Sequence, residues 1–444
     1  MSAAAMFHTR RLALVIAAGL AVGCGGGSTT GLTTHPTDGG TDTSTTSPDG
    51  ATDTPSNNDA ATDTPPGDVA TDGPPSPVNF VPVIVDEGPG GIGSVNVPFI
   101  SVTLCIPGTS TCKTIDHVGV DTGSSGLRVL SSALGTGIAL PQATASTGAS
   151  LVECFQFADG YTWGSVRMAD VRIGGEIAGS IPIQVIGDPA FTTVPSDCSS
   201  SGPSEDTLAD FGSDGLIGIN QIIPDCGSYC SDTSTVGTGA YYACTGATCA
   251  AVAVPESAQV PNPIARFATD NNGALLTFPT VPAGGAATLT GTLTFGIGTA
   301  SNNALGSATV LTVDGYGNFT TVFNGQTMNT SFIDSGTNTL SFNDSAIAQC
   351  TASDTSGFDC PASLVDLTAQ NKGLNGVTSS VAFSVESADT LFSNASFTAF
   401  DDLATPGIDN SSFDWGFPFF IGRTVFVAFD GATTPGGAGP YVAY

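Results

Sequence analysis

Asp121 and Asp334 each open the same short phrase. Around the first the chain reads Val118-Gly119-Val120-Asp121-Thr122-Gly123-Ser124-Ser125-Gly126-Leu127. Around the second it reads Ser331-Phe332-Ile333-Asp334-Ser335-Gly336-Thr337-Asn338-Thr339-Leu340. Each has strand-forming residues leading into Asp, then a hydroxyl residue, Gly and a second hydroxyl residue. Gly, Ser and Thr are common in this chain, so one such phrase carries little weight. Two with matching flanks, each inside an apolar strand signal, point to a pair of turns that present two carboxyls to one place. Carboxyls in contact cannot both ionise, so they share a proton and titrate as a pair. The ionised member takes a proton from water. The protonated member donates a hydrogen bond to a carbonyl oxygen as it becomes tetrahedral. That is the chemistry of peptide-bond hydrolysis in acid.

The rest of each phrase serves the same chemistry. Gly123 and Gly336 allow the backbone to turn sharply and to offer N–H groups to the carboxyls. Thr122 and Ser335 carry hydroxyls suited to bracing one turn against the other. Ser124 and Thr337 are spaced to donate to the outer carboxyl oxygens.

Such turns need strands to hold them. Residues 78–444 are rich in Val, Ile, Phe, Thr and Gly, with turn signals at short intervals and no long helical periodicity. This predicts an all-β fold. The length suits two β lobes with a cleft between them, an N-terminal lobe over 78–280 with Asp121 and a C-terminal lobe over 281–444 with Asp334. Other catalytic arrangements find little support. Beyond Cys24 the histidines are His35 and His117. His117 shares a strand face with Gly119 and Asp121 at period two, but no Gly-x-Ser-x-Gly elbow in a strand-to-helix context accompanies it. P-loop, dinucleotide and His-Glu zinc-helix signatures are missing.

The net charge is −30, and the cations after Cys24 are Lys113, Lys372, Arg128, Arg167, Arg172, Arg266 and Arg423. A nucleic-acid partner needs a basic face, so none is expected. Excess carboxylates suit an acidic medium, where protonation relieves self-repulsion, and equally serve solubility.

The N-terminus reads as an export signal. Arg10 and Arg11 precede the apolar run Leu12–Gly23, too short to span a membrane, which ends in small residues before Cys24. Leu20-Ala21-Val22-Gly23-Cys24 resembles a bacterial lipobox with its Leu one place early. Residues 1–24 thus read as a lipoprotein signal ending at the lipobox Cys24, and the resemblance implies cleavage before Cys24 and lipid attachment to its thiol. Gly25 follows rather than Asp, so nothing argues for retention at the inner membrane. The expected location is the bacterial cell envelope, lipid-anchored, at an outer membrane facing periplasm or surface. Residues 25–77 repeat Ala-Thr-Asp-Thr-Pro and hold almost no apolar side chains, the composition of a disordered tether of about 40 Å end to end. Ten further cysteines, an even number in an exported chain, read as disulfides. Local pairing suggests Cys105–Cys112, Cys226–Cys230, Cys244–Cys249 and Cys350–Cys360, leaving Cys154–Cys198. Spacing alone does not determine connectivity. Their spacings without companion histidines match no common zinc site, and neither metal nor organic cofactor is called for.

At this point the chain resembles the pepsin-like aspartic peptidases. Asp121 to Leu127 is similar to their first motif and Asp334 to Thr337 to their second. Phe211-Gly212-Ser213-Asp214-Gly215-Leu216-Ile217-Gly218-Ile219 resembles the segment that crosses behind the first Asp turn. Phe419-Phe420-Ile421-Gly422-Arg423-Thr424-Val425-Phe426-Val427-Ala428-Phe429-Asp430 resembles its partner in the second lobe. Val171-Arg172-Ile173-Gly174-Gly175 resembles the strand after the flap, and Asp159-Gly160-Tyr161-Thr162-Trp163-Gly164 is similar to a phrase in uncharacterised bacterial exported proteins of this fold. The resemblance implies a bilobal acid-protease fold. It implies catalysis by Asp121 and Asp334 and a monomer acting on an extended peptide or protein held beneath a flap. Its rival is the same fold without activity, a cell-surface binding module for peptide or glycan.

Departures from the family pattern mark places to examine. Arg128 stands where the family has the Trp that holds the flap Tyr. It is expected to pair with a carboxylate in the cleft, to stack on Tyr161 or Trp163, or to lie in solvent on an edge strand. Ungapped reading puts Phe157 at the flap Tyr position, with Tyr161 nearer the hairpin tip as the favoured flap hydroxyl. Arg423 replaces a frequent Asp. The stretch from Cys226 to Cys249 reads as a stapled surface loop rather than a rim of the cleft.

Overall fold

In the computed structural model, which describes residues 78–233 and 240–444, the first Asp phrase closes the strand Cys112–Asp121. Its last four residues are buried. The chain turns and leaves along Ser125–Leu130, buried at every position. Between the two runs Gly215–Ile219, parallel to the first and antiparallel to the second. The second phrase repeats this plan. Gln326–Ile333 leads in, Leu340–Ser341 leads out, and Asp414–Trp415 runs between them in the same senses. A further strand lies parallel to each exit strand, Glu176–Ile186 in the first half and Ala404–Thr405 in the second. The crossing demands glycine. A Cβ on Gly218 would lie 2.6 Å from the Ser124 carbonyl oxygen, and one on Gly416 would overlap the Thr339 carbonyl.

The second crossing strand is therefore not in Phe419–Asp430, as the motif resemblance suggested. Phe417–Phe420 forms a turn of 3-10 helix, and Thr424–Ala428 pairs with Gly273–Thr277. Gly422 sits at φ 76° in a turn, whereas Gly416 meets the Asp turn. Phe417, not Arg423, follows the crossing glycine. The Arg423 guanidinium instead lies 4.8 Å over the Phe419 ring and donates to the Phe419 carbonyl at 2.8 Å.

The architecture is the all-β one expected, with a β-rich half around each Asp turn. Among the described residues fifteen strands form one hydrogen-bonded sheet and seven another. Strands from both sides of residue 280 interleave in the larger sheet. Phe80–Val85 pairs along its length with Leu289–Phe295, which in turn pairs with Gly273–Thr277. One apolar core runs through both halves, from Val83 and Val120 to Phe342 and Trp415. No helix among the described residues is long and apolar enough to cross a membrane.

All ten cysteines from Cys105 to Cys360 are paired, in the connectivity that local spacing suggested. The stretch between Cys226 and Cys249 is more than a loop. Tyr241–Thr245 and Thr248–Ala251 form a hairpin that extends the sheet along Ser150–Gln156. The signal, the tether and Cys24 lie outside the described residues.

Candidate functional site

The two Asp turns hold each other through their first hydroxyls. Thr122 Oγ1 donates to the Ile333 carbonyl at 3.0 Å and accepts from the Ser335 N–H at 2.9 Å. Ser335 Oγ donates to the Val120 carbonyl at 2.7 Å and accepts from the Thr122 N–H at 3.1 Å. Each hydroxyl thus satisfies a donor and an acceptor of the opposite turn, so neither turn shifts without breaking bonds at both ends. The Gly123 N–H donates to Asp121 Oδ1 at 2.6 Å, and the Gly336 N–H to Asp334 Oδ1 at 2.8 Å. Ser124 Oγ donates to Asp121 Oδ2, and Thr337 Oγ1 to Asp334 Oδ2 at 3.0 Å.

This arrangement puts the carboxyls in contact. A point beside the Gly336 Cα lies 2.7 Å from Asp121 Oδ1 and 3.0 Å from Asp334 Oδ1. Asp121 and Asp334 are hydrogen-bonded partners, and both are fully buried. Burial, and then the neighbouring carboxyls Asp121 and Asp414, push Asp334 well above the usual carboxylate range. Asp334 therefore retains a proton at a pH where an exposed carboxylate has lost it. A cavity of about 60 Å³, lined by Gly119, Val120, Phe211, Leu216, Gly336 and Asn338 among others, adjoins the turns. It has room for a few waters.

His117 stays apart from this chemistry. Its backbone sits at φ 46°, which interrupts the strand alternation, and its ring nitrogens face Asp86 and Asp116, each at 3.3 Å.

The flap residues of the sequence reading separate. Phe157 packs with Phe211 and Leu216, both cavity-lining. Tyr161 instead packs with Trp163, Tyr242 and the Cys154–Cys198 bridge. The hairpin carrying them is held on two sides. Tyr241–Thr245 pairs with its first strand, and the Tyr161 N–H donates to the Pro203 carbonyl at 3.0 Å. At its tip Asp159 faces Glu205. Burial pushes Asp159 up to about 6, and burial followed by the charge of Asp159 pushes Glu205 up to about 8. A shared proton joins the tip to the 203–206 loop.

Arg128 lies neither in solvent nor on Tyr161 or Trp163. It is fully buried, with Nη2 at 2.7 Å from Glu153 and 2.8 Å from Asp225. Its guanidinium lies 3.5 Å over the Phe155 ring. The Tyr241 hydroxyl donates to Asp225 at 2.7 Å and accepts from the Val260 N–H. Two carboxyls face one guanidinium. Burial, then Glu153, raise Asp225 well above its usual range, so Asp225 holds a proton and the cluster is close to neutral. Glu153, Asp225 and Tyr241 escaped the sequence reading because each is an isolated polar residue brought in from a distant strand or loop. Asp414 escaped for the same reason, although one Asp within Phe413-Asp414-Trp415-Gly416-Phe417-Pro418-Phe419-Phe420 is a legible anomaly.

No curated protein matches the chain. Among solved structures, an aspartic proteinase from Irpex lacteus aligns at 15% identity and a TM-score of 0.40, over 82% of this chain and 96% of that one. A family model described as protein of unknown function (DUF3443) matches residues 75–444, most of the chain. The chain belongs to that family.

Proposed function

We propose that this protein is an exported, lipid-anchored aspartic endopeptidase acting through Asp121 and Asp334. The observation that carries the reading is the reciprocal hydroxyl brace of Thr122 and Ser335, which holds two buried carboxyls in contact. In the resting pair Asp334 holds the shared proton. Water bonds to the scissile carbonyl carbon while the ionised carboxylate takes its proton. The protonated carboxyl donates to the carbonyl oxygen as it becomes tetrahedral. Collapse breaks the C–N bond, and a carboxyl proton passes to the departing nitrogen. The tether and a lipid on Cys24 would hold this domain at the envelope surface.

The test is incubation of the purified full chain with a denatured protein mixture across pH 3–7, with and without a transition-state-analogue inhibitor of aspartic peptidases. Inhibitor-sensitive cleavage on the acid side is expected. A well-folded protein that cleaves nothing removes the reading.

The rival, a binding module for peptide or glycan, draws on two observations. Both carboxyls are fully buried, and the flap hairpin is pinned on both sides. Peptide or glycan binding without cleavage, undiminished in Asp121→Asn, would favour it.

A further inference from the structure

The crossing strand Asp414–Trp415 brings a third carboxyl to the site. Phe413 and Trp415 stack at 4.0 Å inside an aromatic cluster with Phe342 and Phe383. Side chains alternate along a strand, so Asp414 between them faces the other way. The register says where. Asp414 pairs in parallel with Phe332, two residues before Asp334, so all three share the face of the Asp turn. Asp414 is 5% exposed. The Thr337 hydroxyl lies beside it but gives its proton to Asp334, so neither oxygen of Asp414 receives a hydrogen bond among the described residues. Asp121 acts on it electrostatically, and it acts on Asp334. No basic side chain among the described residues is paired with it. A buried carboxylate that receives no donor is costly, and a substrate group that supplies one would be recognised strongly.

The first half shows what this position does. Its counterpart is Leu216, which pairs with Gly119, two residues before Asp121. Leu216 and Gly119 line the cavity together with Ser335 and Gly336 of the opposite turn. The repeat that relates the halves carries this wall onto Asp414, Phe332, Thr122 and Gly123. By that repeat, Asp414 takes in the second half the register position that Leu216 holds in the first.

We infer that Asp414 is a specificity-determining residue that accepts the cationic side chain, lysine or arginine, of the peptide residue on one side of the scissile bond. The inference rests on the peptidase reading above. The ammonium or guanidinium supplies the donors that Asp414 lacks and stabilises its ionised form, while Leu216 favours an apolar residue across the bond.

The experiment maps cleavage. A denatured protein mixture is digested with the full chain as wild type, Asp414→Leu and Asp414→Asn, and the new peptide ends are read by mass spectrometry. Wild type should enrich Lys or Arg at one of the two positions flanking the cut. For matched peptides differing only in Lys or Leu at that position, Asp414→Leu should shift the kcat/KM ratio toward Leu by about 100-fold. The ratio does not depend on how much of a preparation is folded. Asp414→Asn, which keeps the side chain's size, tests the charge if the Leu variant fails to fold. Cleavage by wild type without basic enrichment at either position overturns the inference and leaves the peptidase reading standing, as does a wild-type ratio in both variants. Absence of cleavage by folded wild type removes the peptidase reading and this inference with it.

Discussion

At the scale of single residues the site is held by groups that each have two partners. Thr122 Oγ1 is both donor to Ile333 and acceptor from Ser335. Thr122→Val keeps the shape and removes both bonds, leaving a buried carbonyl and a buried N–H unsatisfied. A loss of about 1–3 kcal/mol for each orphaned group is expected, read as a lower urea midpoint, together with reduced cleavage as the turns loosen. Asp121→Asn and Asp334→Asn should each abolish cleavage in a folded protein, because an amide neither takes the water's proton nor returns it. The pair works as a unit, so the double variant should be no worse than either single one. Cleavage that survives both substitutions would show that the hydrolysis belongs to something else. Arg128 belongs to stability rather than to the dyad, since its charge is engaged by Glu153 and Asp225. Arg128→Met strands a buried carboxylate and should cost about 3–5 kcal/mol in denaturant unfolding. Adding Glu153→Gln should recover part of that loss, and no recovery would contradict the ion-network account.

At the scale of elements the hairpin from Ser150 to Ile173 is the part that differs most from a free flap. One edge carries the extra strand Tyr241–Thr245, and the Cys154–Cys198 bridge ties it to the 196–206 segment. The tip adds a titratable tie between Asp159 and Glu205. Both pKa values are raised in the folded state, so folding favours the protonated form. The contribution to stability is complete below the unfolded values near 4 and is lost as pH rises to about 8. Amide hydrogen exchange at residues 157–161, corrected for its intrinsic pH dependence, should therefore speed up between pH 4 and pH 8. Glu205→Gln should flatten that rise. An exchange rate at the tip that follows only the intrinsic trend would rule out the tie.

At the scale of the whole molecule the same sign recurs. Burial raises Asp402 to about 6 and Asp359 to about 7, and Asp225, Asp334 and Asp414 lie well above their usual range. Among the lowered carboxyls, Asp116 and Asp409 are exposed, where screening weakens their effect, while Asp188 is buried against Arg167 and Ser165 and acts in the opposite sense. With a net charge of −30 adding self-repulsion as carboxyls ionise, the melting temperature should fall as pH rises from about 4 to 8. A thermal melt series that rises over this window would contradict the balance. For the segment outside the described residues, the expectation is that the protein partitions with membranes and that Cys24→Ala blocks processing or releases it.

The duplicated Asp phrases were legible in the sequence because their chemistry is local. Each carboxyl is held by an N–H two residues away and a hydroxyl three residues away, and such spacings are written in the chain itself. The alternation of Val, Ile and Phe made the β class legible for the same reason, and short cysteine spacings favoured the pairs now seen. What the sequence did not determine lies where partners are distant. Arg128 meets Glu153 across 25 residues and Asp225 across 97. Glu205 meets Asp159 only because the 203–206 loop docks on the hairpin. Choosing between Gly416 and Gly422 as the crossing glycine needed the packed strands, since an apolar-apolar-Gly phrase is common in a core and only the close approach of a carbonyl singles one out. Asp414 is the sharpest case. As a residue type it is an ordinary acid, and only the parallel register beside Phe332 turns it toward the two carboxyls and leaves it there without a donor.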